Sequence, residues 1–306
     1  MNIVPEEFIQ NHTGRESYTD LHAAVIDLVT SLRTISQNLL LLYVKKAILT
    51  LYNDITESDE VRSAIQDELN IENPLPSVTL NHLSTILHSI NKTLEPLSFE
   101  IVESKDMDNA STLFTFVNKK ALGAIQLSTK YSQNEIQLVK HAIDTIFSPK
   151  NVNQERTTNE SGAVFSHIRY YVPYMQMVKS VRNGPPQEDE DAPQLNKLSL
   201  DEAELFLRDL ECYGWFERYD GNYTLGTRGL VELKSYLIDT YGVYPEGTVS
   251  KCSGCSDILT RGYACPNGEC GVHFHKQCKE LFQRSRNDTG CPNPNCEANL
   301  TSYYKF

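Results

Sequence analysis

From Asp20 onward, apolar residues recur at helical spacing: Leu21, Ala24, Val25, Leu28, Val29 and Leu32 fall on one face and predict an amphipathic helix. Thr34 with Gln37 reads as a capping box opening a second helix through Leu40, Val44, Ala47, Ile48 and Leu51. Val61 to Leu69 and Thr79 to Leu94 predict two more, separated by the breaker Asn73-Pro74-Leu75-Pro76. The period then changes. Phe99, Ile101, Phe114 and Phe116 alternate within Ser98 to Glu103 and Thr112 to Asn118, which predicts two strands joined by a polar loop around Asp106 to Asn109. Ser132 and Glu135 cap a further helix carrying Ile136, Val139, Ile143 and Ile146. Helices followed by a two-stranded ribbon give the element order of a winged helix, so 20–149 is read as one such domain with an appended helix, behind a flexible polar terminus at 1–19.

Residues 150–162, rich in Asn, Thr and Ser, read as a linker. A second module follows over 163–245. Ser199 and Glu202 cap a helix whose apolar face is Leu200, Ala203, Phe206, Leu207 and Leu210. Trp215 to Tyr219 and Tyr223 to Leu225 flank Asp220-Gly221-Asn222, a strong hairpin signal, and a helix returns over Thr227 to Leu237. This order predicts a second winged helix, with a mobile acidic loop at 183–194. Cys212, the one cysteine of this module, reads as a small buried hydrophobe.

Charge narrows what these modules can bind. The chain of 306 residues carries a formal charge of −12, and between Ser199 and Tyr241 four basic residues face nine acidic ones. A helix that neutralises phosphates needs the reverse balance, so contact with DNA is expected to be indirect at most and protein docking is favoured. Leu39 to Val44, the longest aliphatic run, ends at Lys45 and Lys46, far short of a membrane span, and no secretory pattern opens the sequence. A soluble, intracellular chain is the expectation.

The densest chemistry lies at 252–296, where seven of the eight cysteines fall within 45 residues. The spacing is Cys252-x2-Cys255-x9-Cys265-x4-Cys270-x4-His275-x2-Cys278-x12-Cys291-x4-Cys296. Four pairs of soft ligands fill two tetrahedral zinc sites. Seven thiols cannot all pair as disulfides, and nothing points to an oxidising compartment. His275, with two residues between it and Cys278, closes the one pair of the four that would otherwise lack a partner; His273 fits that place less well and is expected in an outer shell or in solvent. A segment this short needs the metal to fold.

The ligand order of four Cys, one His and three Cys resembles both a RING-variant finger and a PHD finger. Both are cross-braced. That resemblance implies one site of Cys252, Cys255, His275 and Cys278, and a second of Cys265, Cys270, Cys291 and Cys296, built from the similar loops Cys265-Pro-Asn-Gly-Glu-Cys270 and Cys291-Pro-Asn-Pro-Asn-Cys296. PHD fingers carry a Trp two residues before the seventh ligand, where Thr289 stands; RING fingers carry an aromatic four after the sixth and a Pro after the seventh, matched by Phe282 and Pro292.

Two winged helices followed by such a finger at 250–300, with the Tyr131-Ser-Gln-Asn-Glu135 helix start and the aromatic hairpin around Trp215, resemble the fungal form of the RING-finger subunit family of the SMC-five/six genome-maintenance complex, non-SMC element one. The implied architecture is a multi-domain α+β chain. The implied role is a RING-type E3 ubiquitin transferase subunit in DNA repair and recombination, nuclear and chromosome-associated, with two Zn2+. The implied partners are the MAGE-family subunit (non-SMC element three), the kleisin subunit (non-SMC element four), the SMC-five/six core and an E2 enzyme. The family pattern places E2 against Phe282, Pro292 and an aliphatic residue where this chain has Gly254, with Ile258 or Leu259 as the replacement; Glu297 stands where a basic residue would steady ubiquitin. A docking-only scaffold and a PHD-type histone-tail reader are the readings from other classes.

Overall fold

The computed structural model describes residues 4–14, 18–56, 76–119, 130–152, 157–158, 164–166, 170–186, 196–286 and 289–306. The helix expected at 61–69, the breaker at 73–75 and the acidic loop from 187 lie outside them. The chain forms two compact units, Met1–Ser104 with Ser111–Lys120, and Lys105–Ala110 with Ala121–Phe306.

The first unit contains α1 (Glu6–Thr13), α2 (Asp20–Leu32), β1 (Thr34–Ser36), α3 (Gln37–Thr56), α4 (Leu80–Leu94), β2 (Phe99–Lys105) and β3 (Thr112–Asn118), with sheet order β1-β3-β2. In the central strand β3, Phe114, Thr115, Phe116 and Val117 are all buried in succession instead of alternating, so both of its faces are covered there. Two expectations change here. Thr34 does not cap α3: it lies in β1, opposite Thr115, and the two hydroxyls share a hydrogen bond of 3.1 Å. Ser36 takes the capping place, its Oγ accepting from the Leu39 N–H at 3.4 Å. The amino terminus, read as flexible, holds α1 with Val4 and Ile9 fully buried and Phe8 edge-on to Tyr52 at 5.1 Å. Three apolar residues are too few to show a period, yet enough to seat one short helix.

The second unit contains α5 (Gln133–Phe147), α6 (Pro149–Val152), β4 (Thr157–Thr158), β5 (Val164–Ser166), β6 (Val172–Pro173), α7 (Tyr174–Asn183), α8 (Leu200–Cys212), β7 (Phe216–Tyr219), β8 (Asn222–Leu225), α9 (Thr227–Glu232), α10 (Lys234–Tyr241), β9 (Tyr263–Ala264), β10 (His273–Phe274), α11 (Lys276–Arg286) and β11 (Tyr304–Lys305). Both capping boxes form: Ser132 Oγ accepts from Glu135 N at 3.3 Å, and Ser199 Oγ from Glu202 N at 3.2 Å. The hairpin turns on Asp220 and Gly221, both at positive φ (46° and 75°), the geometry a two-residue turn needs to follow the strand twist. The last helix of this module breaks at Leu233 into α9 and α10. Cys212 is exposed, on the opposite face of α8 from Ala203, Phe206, Leu207 and Leu210.

Packing redraws the boundaries expected from sequence. Helix α5, appended to the first module by the sequence reading, buries Ile136, Val139, Ile143 and Ile146 in the same cluster as Leu207, Trp215 and Phe216. The residues read as a linker include buried Asn151 and Val152 and strand β4. That cluster continues without interruption into Ile258, Cys265, Phe274 and Tyr304, so the cysteine-rich segment shares its core with the preceding module. A five-stranded sheet of order β10-β9-β11-β5-β4 crosses the same boundary. At the junction the fully buried Tyr170 donates its hydroxyl to the Thr248 carbonyl at 2.5 Å, while Ser250 N donates to the Tyr170 oxygen at 3.0 Å.

Candidate functional site

The eight expected ligands separate into two groups, Cys252, Cys255, His275 and Cys278, and Cys265, Cys270, Cys291 and Cys296, each with its ligand atoms within 4.8 Å of one another. Short elements bring them together. Ribbon β9–β10, with Ala264 opposite His273, places Cys265 and His275 just past its two strands, and the first turn of α11 supplies Cys278. In the first group His275 presents Nδ1, 3.3 Å from Cys255 Sγ and 3.9 Å from Cys278 Sγ. Cys252 Sγ accepts from the backbone N–H groups of Gly254 at 3.4 Å and His275 at 3.5 Å.

In the second group the sulfur separations fit shared metal ligation and not disulfides. Cys265 and Cys296 lie 3.6 Å apart and Cys270 and Cys291 3.5 Å apart. Thiolates on a tetrahedral zinc with bonds of about 2.3 Å sit about 3.8 Å apart, whereas a disulfide needs about 2.05 Å. The donor sets therefore fit two zinc ions. Without a cation, burial, with hydrogen bonding to Cys291 added, pushes the Cys270 thiol up to about 11, and burial drives Cys265 upward as well. A bound dication reverses that balance and makes uptake release protons, so occupancy is lost on acidification.

The two CPN loops are related as a pair. Asn267 Oδ1 accepts from Glu269 N at 3.1 Å and Asn293 Oδ1 from Asn295 N at 3.0 Å, so each asparagine closes its own loop. Each amide then reaches across: Asn267 Nδ2 donates to Cys296 Sγ at 3.8 Å and Asn293 Nδ2 to Cys270 Sγ at 3.4 Å. Tyr303 donates its hydroxyl to Cys291 Sγ at 3.0 Å. The likeness of the loops was visible in sequence; the reach of their amides was not, and Tyr303 lies beyond the expected end of the finger.

His273 lies in neither ligand group. It is 1% exposed, edge-on to Tyr244 at 5.0 Å and Phe306 at 5.3 Å, so it is a core group and not a solvent one. Of the residues assigned to E2, Phe282 is half-buried, 5.3 Å from the Phe274 ring and with the Arg286 guanidinium 4.9 Å above it, and Pro292 is half-buried beside Cys291. Ile258 corrects the expectation: it is 4% exposed, and Leu259 is fully buried, because both fill the shared core. Neither offers an apolar face to a partner. Gly254 and Glu297 are exposed.

Residues 43–233 match the family described as Nse1 non-SMC component of SMC5-6 complex, and residues 252–296 match a RING-like domain. The chain is similar to the human Non-structural maintenance of chromosomes element 1 homolog, at 23% identity over 219 residues covering 72% of this chain and 70% of the human one. It is equally similar to Non-structural maintenance of chromosomes element 1 of Schizosaccharomyces pombe, at 23% over 222 residues, 72% of this chain and 78% of that protein. The fold resembles a chain of a solved Nse1-Nse3-Nse4 complex with TM-score 0.63 at 18% identity, covering 92% of this chain and 97% of that one.

Proposed function

Since the chain belongs to the Nse1 family of non-SMC components of the SMC5-6 complex, we propose that it acts as the RING-type E3 ubiquitin ligase subunit of such a complex, at chromosomes in the nucleus. The observation that carries this reading is the cross-braced partition of eight ligands, with Phe282 and Pro292 half-buried at the positions where a RING meets E2. A RING supplies no nucleophile. It holds the E2 thioester and its acceptor in a reactive geometry, so the residues named here contribute orientation. That the structural neighbour is a chain of an Nse1-Nse3-Nse4 complex supports a MAGE-family subunit and a kleisin as partners. The two modules before the finger, read as winged helices, serve as protein-docking surfaces, in keeping with the acidic balance over Ser199 to Tyr241.

A docking-only finger is the second reading, and particular residues favour it. Burial of Ile258 and Leu259 removes the aliphatic contact, and the exposed carboxylate of Glu297 stands where a cation would meet ubiquitin. The proposed ligase is therefore weak alone and gains activity from its partners. Ubiquitin transfer with a panel of E2 enzymes, measured for the full chain with and without the MAGE-family and kleisin subunits, tests this. Phe282→Ala is expected to lower partner-stimulated turnover on the order of tenfold, the value of roughly 1 to 2 kcal/mol of lost apolar contact, at unchanged zinc content. A silent Phe282→Ala in an assay with measurable turnover would remove the E2 platform, and equal activity with and without partners would remove the partner dependence.

A further inference from the structure

We propose that Tyr303, together with Asn267 and Asn293, positions and electrically balances the four-sulfur metal site, and that Tyr303 thereby ties that site to strand β11. Four thiolates around a dication carry a net charge of −2, one unit more than the three-sulfur, one-imidazole site. Excess buried charge is costly unless donors meet it. The structure places three side-chain donors around the four sulfurs: the Tyr303 hydroxyl on Cys291, and the crossed amides of Asn267 on Cys296 and Asn293 on Cys270. The two amides relate the CPN loops symmetrically. Tyr303 breaks that symmetry, because it adds an O–H donor at Cys291 alone.

The position of Tyr303 in the chain gives its bond a second effect. Its ring is 6% exposed, 6.4 Å from Phe274 and with Lys279 Nζ 5.8 Å above it, so the hydroxyl is held in one direction. The next residue, Tyr304, pairs with Ala264, the neighbour of Cys265, and Lys305 pairs with both Tyr263 and Ser166. Tyr303 therefore holds a ligand of the second CPN loop while Tyr304 pairs with the residue just before the first, and together they lead into the strand that joins the finger's ribbon to β5. Outer-shell donors of this kind set metal affinity by about 10- to 100-fold in other sites.

Tyr303→Phe keeps the ring and removes only the donor, so packing alone predicts no effect on the metal. The test uses the full-length chain with cadmium in place of zinc, in which the four-sulfur and three-sulfur sites give separate cadmium NMR resonances. Tyr303→Phe is expected to move the four-sulfur resonance and leave the other in place. Zinc release from that site to a chelator is expected to quicken on the order of tenfold, with Trp215 emission unchanged while zinc is bound. Asn293→Ala should move the same resonance. An unmoved four-sulfur resonance together with the parent's release rate in Tyr303→Phe overturns the proposal, as does a parent protein that shows no four-sulfur resonance.

Discussion

Cys265→Ser is expected to unfold the second unit as a whole, not the cysteine-rich segment alone, and the single tryptophan is expected to report it. Cys265 is 3% exposed and belongs to the same buried cluster as Trp215, Leu207 and Ile143. A structural zinc is worth on the order of 10 kcal/mol in peptide models, while a whole domain is stable by about 5–15 kcal/mol. Removing the metal therefore draws on the stability of everything that shares its core. Trp215 is 2% exposed, so its emission should shift to the red at markedly lower denaturant in Cys265→Ser, and in the parent chain after chelation. If Trp215 keeps its unfolding midpoint while the four-sulfur site has lost its metal, the shared core does not couple the two halves and this account fails.

Gly254→Ile is expected to weaken the first metal site. In the RING pattern an aliphatic residue stands at this place, so resemblance alone would expect isoleucine to strengthen E2 binding. Packing gives the opposite sign. A Cβ built on Gly254 would lie 2.9 Å from Cys278 Cβ, 3.5 Å from its Sγ and 3.7 Å from Cys252 Sγ. The Gly254 N–H also donates to Cys252 Sγ, so the backbone cannot swing away without giving up that hydrogen bond to a ligand sulfur. Overpacking of a tight site costs about 1–3 kcal/mol, and here the atoms that must move are metal ligands. Zinc at the first site should pass to a chelator roughly ten- to a hundredfold faster than in the parent, while the second site keeps its rate. Two zinc ions held against chelator as firmly as in the parent would show that the knuckle relaxes around a side chain.

The contrast at Gly254 shows where sequence reasoning reaches and where it stops. The clustering of these eight side chains was legible because zinc demands soft donors in fixed number, and spacing alone sorts them into pairs. Caps at Ser132 and Ser199 and the Asp220-Gly221 turn were legible because each is a local rule spanning a few residues. Helix α5 was misassigned for the converse reason: its apolar face is plain in sequence, but which core it fills depends on Leu207 and Trp215, some seventy residues on. Ile258 looked available to a partner because an aliphatic residue beside a zinc ligand reads the same whether it faces solvent or core. Tyr303 escaped because a hydroxyl that meets a sulfur across the fold leaves no periodic mark.

The pairing of Lys305 with Ser166 joins positions about 140 residues apart, and contacts of such separation are formed late and slowly because the intervening chain must first be brought to order. During synthesis β5 emerges long before its partner strand exists. For that interval its edge has no neighbour on the β11 side, and an unpaired edge is a template for any other extended chain. Closure waits on the translation of residues 304 and 305 and on metal capture by the ligands just before them. The interval between those events is when a nascent chain is most exposed to misassembly, and a cell short of zinc would lengthen it.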